Sequence, residues 1–175
     1  MIRSQLVLLP LVRKLQRLNN AKCIFYLDKL GTLRPEHIPN QTLATGGQSI
    51  ISSRSLTVTW SNPLNPYLHH GPSSRVGIHY SMPPVLNETK EWLASVEKEY
   101  DFVDPEFGQM AKAAEEEEES TGILHNVSDN LVKKYERDLS NERCGDGVRE
   151  RKRLMREIQD VLGAFFKEWA PKTEA

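Results

Sequence analysis

Across residues 148–169 the apolar side chains Met155, Ile158, Leu162, Phe165 and Trp169 return at spacings of three, four, three and four. That is the seam of an amphipathic helix and of no strand. Leu154, Val161 and Phe166 widen the seam, so the helix is expected to pack in a small bundle rather than in a two-stranded coil. Its outer faces carry Arg149, Arg151, Lys152, Arg153 and Arg156. Upstream the period changes. Residues 55–60 place Leu56, Val58 and Trp60 on one face, and residues 75–82 alternate through Val76, Ile78 and Tyr80. Both show the two-residue repeat of half-buried strands. The expected class is therefore α+β: a small, mostly antiparallel sheet of about three strands, a flanking helix and a C-terminal helical pair.

The remaining segments fill in that outline. Residues 22–27 read as a short buried strand. Residues 31–53 hold Pro35, Pro39, Gly46 and Gly47 and read mostly as loop; so do residues 61–74, with Pro63, Pro66, Pro72 and Gly71. The strands at 55–60 and 75–82 are expected to pair as an antiparallel hairpin. After Pro83 and Pro84, Asn87 is a candidate N-cap for a helix running to about Tyr100, with Trp92, Val96 and Tyr100 on its buried face. Residues 101–120 are acidic and read as a solvated helix end or linker. Val127, Leu131, Tyr135 and Leu139 suggest one more helix before the break at 144–147. The division this gives is a basic N-terminal segment (1–20), an α+β core (21–103), an acidic linker (104–124) and a helical extension (125–175).

Charge is split along the chain. The first eighty residues hold nine Lys/Arg against Asp28 and Glu36, while the rest hold fourteen against twenty-two acids. Basic residues interleaved with Tyr26, Trp60, Tyr67 and Tyr80 point to phosphate contact and base stacking, with Arg13, Lys14, Arg17, Lys22, Arg54 and Arg75 as candidate RNA-binding residues. Neutralisation of the basic half by the chain's own acidic run at 115–119 is the intramolecular alternative. The first 27 residues contain no acid, and Leu11, Val12, Leu15 and Leu18 share one helical face. A mitochondrial matrix address is the favoured reading of that pattern, against a permanent basic arm or a cytoplasmic protein. No apolar run reaches the ~18–20 residues of a membrane span. Cys23 and Cys144 do not form a disulfide framework. The sequons at Asn40, Asn87 and Asn126 are read as unmodified.

Little in the sequence announces chemistry. His37, His69, His70, His79 and His125 lack metal-ligand spacing, so neither a metal nor a cofactor is expected, and His79 is expected at the surface. Phosphate loops, dinucleotide fingerprints and serine elbows are missing. Gly46-Gly47-Gln48 resembles the GGQ of class I peptide-chain release factors and the related ribosome-rescue peptidyl-tRNA hydrolases. That resemblance implies a glycine loop entering the peptidyl-transferase centre, and a glutamine backbone placing the attacking water. The favoured expectation is a non-catalytic subunit of a ribonucleoprotein, most plausibly an accessory protein of the mitochondrial ribosome. Its partners would be ribosomal RNA and neighbouring subunits, with no small-molecule substrate. The alternatives are a protein-only adaptor docking through Met155, Ile158, Leu162, Phe165 and Trp169, and a GGQ hydrolase using Gly46, Gly47 and Gln48.

Overall fold

The computed structural model describes residue 14 and residues 22–52, 56–82, 89–116, 120–135 and 145–169. Arg13, Arg17, Arg54, Asn87, Leu139, Cys144 and residues 117–119 lie outside the described residues, as does most of the expected N-terminal helix.

Two bent ribbons organise the molecule. The first is β1 (Cys23–Tyr26) followed by β2 (Lys29–Thr32); the second is β7 (Ser120–Ile123) followed by β8 (His125–Asn130). They run side by side, β1 parallel to β7 and β2 parallel to β8. Between them in sequence lie β3 (Leu43–Ile51), β4 (Leu56–Thr59), β5 (Ser74–Ser81) and β6 (Phe102–Asp104). Six strands join in the order β4-β3-β5-β6-β2-β8, and an added β3–β8 pairing closes five of them into a barrel-like ring with β4 on its outside. The expected three-strand antiparallel sheet is thus corrected to a larger mixed one. β3–β5, β5–β6 and β2–β8 are parallel, while β3–β4, β2–β6 and β3–β8 are antiparallel.

The regions read as strands do form strands, but their partners differ. β4 and β5 flank β3 on opposite sides instead of pairing with each other. β3 itself crosses the stretch read as loop. Leu43, Ala44, Thr45, Ser49 and Ile51 are all buried, and a strand covered on both faces has no alternation to detect. The GGQ tripeptide sits inside β3, at a register shift between Thr45 and Gln48, and not at a loop tip. A Cβ on Gly46 would stand 2.4 Å from the Gly77 carbonyl oxygen. Glycine is there because β3 and β5 approach too closely for any side chain.

Among the described residues, three α-helices and a short 3-10 helix (Asn65–His70) pack on this frame. α1 (Lys90–Val96) is capped by Thr89, whose hydroxyl accepts from Trp92 N at 3.2 Å. As expected, Val96 is buried; Trp92 and Tyr100 pack beside it on Leu33 and Val103. α2 (Phe107–Glu116) occupies the acidic stretch, yet Phe107, Met110, Ala111 and Ala114 bury one face. The expected helix over Val127 and Leu131 is instead β8 with the turn that follows it. α3 (Gly145–Trp169) is the helix expected over 148–169, but it packs on the barrel instead of in a small bundle. Its buried stripe is Leu154, Ile158, Val161 and Phe165, which pack on Leu43, Leu64 and Leu124. Each such side chain contributes about 1.5–3 kcal/mol by leaving water.

Candidate active site

The end of β6 is built by one aspartate. Asp104 Oδ1 accepts from the backbone N–H of Glu106 at 2.6 Å and of Phe107 at 2.5 Å, capping the first turn of α2. The cap fixes Glu106 at the mouth of the barrel, half-buried. β5 lies parallel to β6 with Ser81 opposite Asp104, and Ser81 Oγ accepts from Gly108 N at 2.8 Å. The bend after β1 delivers Tyr26, whose hydroxyl donates toward Glu106 Oε2 at 2.6 Å and lies 3.0 Å from Asp28 Oδ2. Burial, the Glu106 hydrogen bond and nearby carboxylates push the Tyr26 phenol far above its ordinary pKa, so it stays a donor.

Two histidines complete the cluster. His125, at the start of β8, is fully buried, with Nδ1 3.4 Å from Asp104 Oδ2. Neither of its ring nitrogens has a hydrogen-bond partner among the described residues. Burial acts to raise the Asp104 carboxyl, but His125 and the two backbone donors outweigh it and hold the group below the ordinary value. His79 is also fully buried, which corrects its expected surface position. Its Nε2 lies 3.3 Å from Thr45 O. Burial, then the neighbouring His125, lowers His79 to about 4, so it is neutral at pH 7.

Aromatic rings wall this polar group. Tyr26 and His125 meet edge-on at 4.8 Å, and Trp60 and Phe107 do the same at 4.8 Å. Asn62 fixes the Trp60 side of the wall by donating to Thr45 Oγ1 at 2.8 Å and to Gly46 O at 3.1 Å. Trp60 Nε1 is buried without a hydrogen-bond partner among the described residues. The result is a carboxylate held by a phenol, with a buried imidazole 3.4 Å from Asp104 close by, next to the half-buried Trp60 ring. Such a site suits a ligand with hydroxyl groups and a flat ring.

The residues singled out from sequence are scattered elsewhere. Lys14, Lys22 and Arg75 are exposed. In α3, Ile158 and Phe165 are core, Leu162 is half-buried, and Met155 and Trp169 are 52% and 46% exposed. Gly46, Gly47 and Gln48 belong to β3. Among the described residues no group of His, Cys, Asp or Glu is placed to hold a metal ion, and no helix is long and apolar enough to cross a membrane. Of this cluster, Asp104 and Glu106 escaped the sequence reading, which took Tyr26 as a base-stacking aromatic and weighed His125 only as a metal ligand. One local signal existed: Asp104 two residues before Glu106 and three before Phe107 is a helix N-cap pattern.

This mixed barrel, with a second parallel pair and flanking helices, resembles the fold of solved nucleosidase and phosphorylase structures. It resembles the Campylobacter jejuni 5'-methylthioadenosine/S-adenosyl homocysteine nucleosidase with a TM-score of 0.72 at 13% identity, over 90% of this chain and 76% of that one. A mutant futalosine hydrolase of Helicobacter pylori gives 0.67 at 13% identity, over 89% and 75%. A double mutant of the Schistosoma mansoni adenosine/methylthioadenosine phosphorylase, in complex with adenine, gives 0.65 at 13% identity, over 93% and 72%. No protein-family model and no curated protein matches the sequence. These likenesses correct the functional expectation. A mitochondrial ribosomal subunit, a protein-only adaptor and a GGQ hydrolase were each inferred without this fold, which solved enzymes of nucleoside chemistry share. The expected ribosomal RNA partner and the expected absence of a small-molecule substrate are withdrawn with them.

Proposed function

We propose that this chain binds a purine nucleoside and cleaves its N-ribosidic bond. The observation that carries the reading is the Asp104-Pro105-Glu106 turn. In a fold shared with nucleosidases and phosphorylases, it sets a half-buried carboxylate against the hydroxyl of Tyr26, whose ring meets His125 edge-on.

The chemistry follows from the bond to be broken. As the base departs, positive charge builds on the ribose ring, in an oxocarbenium-like transition state. A fixed carboxylate in a water-poor site stabilises that charge and accepts hydrogen bonds from sugar hydroxyls. Glu106 fills this role. Tyr26 engages one of its oxygens, which sets the plane of the carboxylate and leaves the other for the sugar. Asp104 positions Glu106 through the cap and holds the orientation of His125. Trp60, half-buried and braced edge-on by the buried Phe107 ring at 4.8 Å, offers the apolar face against which a purine stacks. The attacking group is water or phosphate, and assays with and without phosphate separate the two.

The test is release of free base, followed chromatographically, from 5'-methylthioadenosine, S-adenosylhomocysteine and adenosine. The expected result is free adenine from at least one of them, reduced about 100-fold or more in Glu106→Gln. A second reading, nucleoside binding without cleavage, is favoured by one observation: the Tyr26 ring already packs between Glu106 and His125. Saturable binding with no base released would select it. No binding and no release by the wild type would overturn both. The mitochondrial matrix is kept as the proposed location on the acid-free, basic N-terminal sequence, and import of a C-terminal fluorescent fusion tests it.

A further inference from the structure

The apolar seam of α3 is divided by the fold. Ile158 and Phe165 go into the core, each at most 5% exposed, whereas Met155, Phe166 and Trp169 stay 52%, 51% and 46% exposed. Val148, Met155, Leu162 and Trp169 recur every seven residues, with Phe166 beside them, and none of the five is fully buried. α3 therefore carries a second apolar stripe, turned away from the core. A seven-residue apolar repeat on an open face is the surface on which another helix packs.

A glycine on that side adds to this. Gly163 lies mid-helix, three residues before Phe166, exposed and without a positive φ. A Cβ there would meet no heavy atom within 4 Å. The chain's own packing thus gives no reason for it, and glycine inside a helix weakens the helix relative to alanine. A second helix passing close by would account for it.

The stripe also borders its own complement. One hollow, of about 270 Å³, lies beside Met155 with Leu27, Leu124 and Leu154. Another, of about 320 Å³, lies beside Phe166 and Trp169 with Phe25 and Phe165. Leu162 is midway between Met155 and Trp169, roughly 10 Å from each along the helix axis. Charge gives the direction. Residues 145–156 hold five Lys/Arg against two acids, and residues 157–169 hold three acids against one Lys. Two antiparallel copies set the basic half of each helix against the acidic half of the other.

We propose that the outer stripe of α3 is a self-association surface, on which a second copy of the chain lays its own α3 antiparallel across a twofold axis at Leu162. Trp169 of each copy enters the hollow beside Met155 of the other, a sulfur–aromatic contact, and the two Leu162 side chains meet on the axis. This surface is independent of nucleoside cleavage and stands or falls apart from it.

Sedimentation equilibrium of the whole chain is the test. The expected result is a reversible monomer–dimer equilibrium with a dissociation constant on the order of 10 µM, as suits a small interface. Gly163→Arg should weaken it about tenfold or more, while the diluted monomer melts no lower than the wild type, because the fold leaves that position open. Gly163→Ala should raise the melting temperature of the monomer and leave association no stronger. With Cys23 and Cys144 replaced by Ser, Leu162→Cys should cross-link to itself under mild oxidation. Met155→Cys should cross-link to Trp169→Cys and not to itself. A chain that stays monomeric up to about 1 mM, a dimer unmoved by Gly163→Arg, or self-cross-linking of Met155→Cys overturns the proposal. Retention on lipid vesicles by a chain that stays monomeric in solution overturns it too, and assigns the stripe to a membrane surface.

Discussion

The barrel mouth and the α3 face are both buried, and they are held by opposite means. At the mouth, Asp104, Tyr26, Glu106, His79 and His125 depend on each other's charge and hydrogen bonds. Removing one partner there leaves another polar group unsatisfied in a dry setting. On the α3 face, Leu154, Ile158, Val161 and Phe165 meet Leu43, Leu64 and Leu124 through apolar contact, with one buried polar anchor, Glu157, which accepts from Ser73 N at 3.0 Å. Deleting one side chain costs its burial and the cavity left behind, but strands no charge. Chemistry is therefore expected at the mouth and stability on the helix face, and substitutions in the two regions should separate these quantities.

The largest effect on stability belongs to the helix face. Phe165 is 3% exposed and meets the rings of Phe25 at 5.0 Å and Tyr67 at 5.7 Å. Phe165→Ala should lower unfolding free energy by about 3–5 kcal/mol in urea melts. Base release by the fraction still folded should be unchanged; a loss of activity there would join the two regions that the account keeps apart. Glu106→Gln should show the reverse pattern, a rate loss of about 100-fold with a melting shift of a degree or two.

Acid sharpens the contrast next. Folded His79 stays neutral down to about pH 4, whereas the unfolded histidine takes up its proton near 6.5. Between those values the unfolded state binds more protons, so stability falls as pH falls. Asp104, lowered in the folded state, adds stability that is present above the ordinary carboxylate value and lost as pH drops through the folded one. From pH 7 to pH 5 the His79 contribution alone is on the order of 2 kcal/mol. Urea midpoints across that range measure it, and His79→Gln should flatten the slope. The smallest effect is expected at Trp169, stacked on Phe165 at 5.0 Å but 46% exposed. Trp169→Ala should cost under about 1.5 kcal/mol.

How far the sequence spoke for the structure follows from which faces meet water. α3 has one exposed side, so its apolar residues keep the helical period and were legible. β4 was legible too, since Thr57 and Thr59 remain exposed on either side of buried Val58; in β5 the alternation marked a strand but not its inner face, because His79 and Ser81 are buried while Val76 is 67% exposed. β3 and β8 lie inside the ring. In β8, His125, Val127, Ser128 and Asn130 are all buried, and the spacing of Val127 and Leu131 imitates a helix only because the strand ends at Asn130. α2 was hidden by the glutamates that follow its buried face, although Phe107, Met110, Ala111 and Ala114 hold helical spacing. The candidate site was less legible still. Tyr26 and Glu106 are 80 residues apart, and it is the long-range pairing of β2, which follows Tyr26, with β6, which precedes Glu106, that brings their segments together.

The central claim is that Glu106, held by Tyr26 at the barrel mouth, faces a nucleoside sugar. Calorimetric titration of 5'-methylthioadenosine into the wild type and Glu106→Gln tests it most directly. The account predicts saturable binding by the wild type and affinity about tenfold weaker or worse in the variant. Equal affinity in both proteins, or no heat of binding in the wild type, would contradict it.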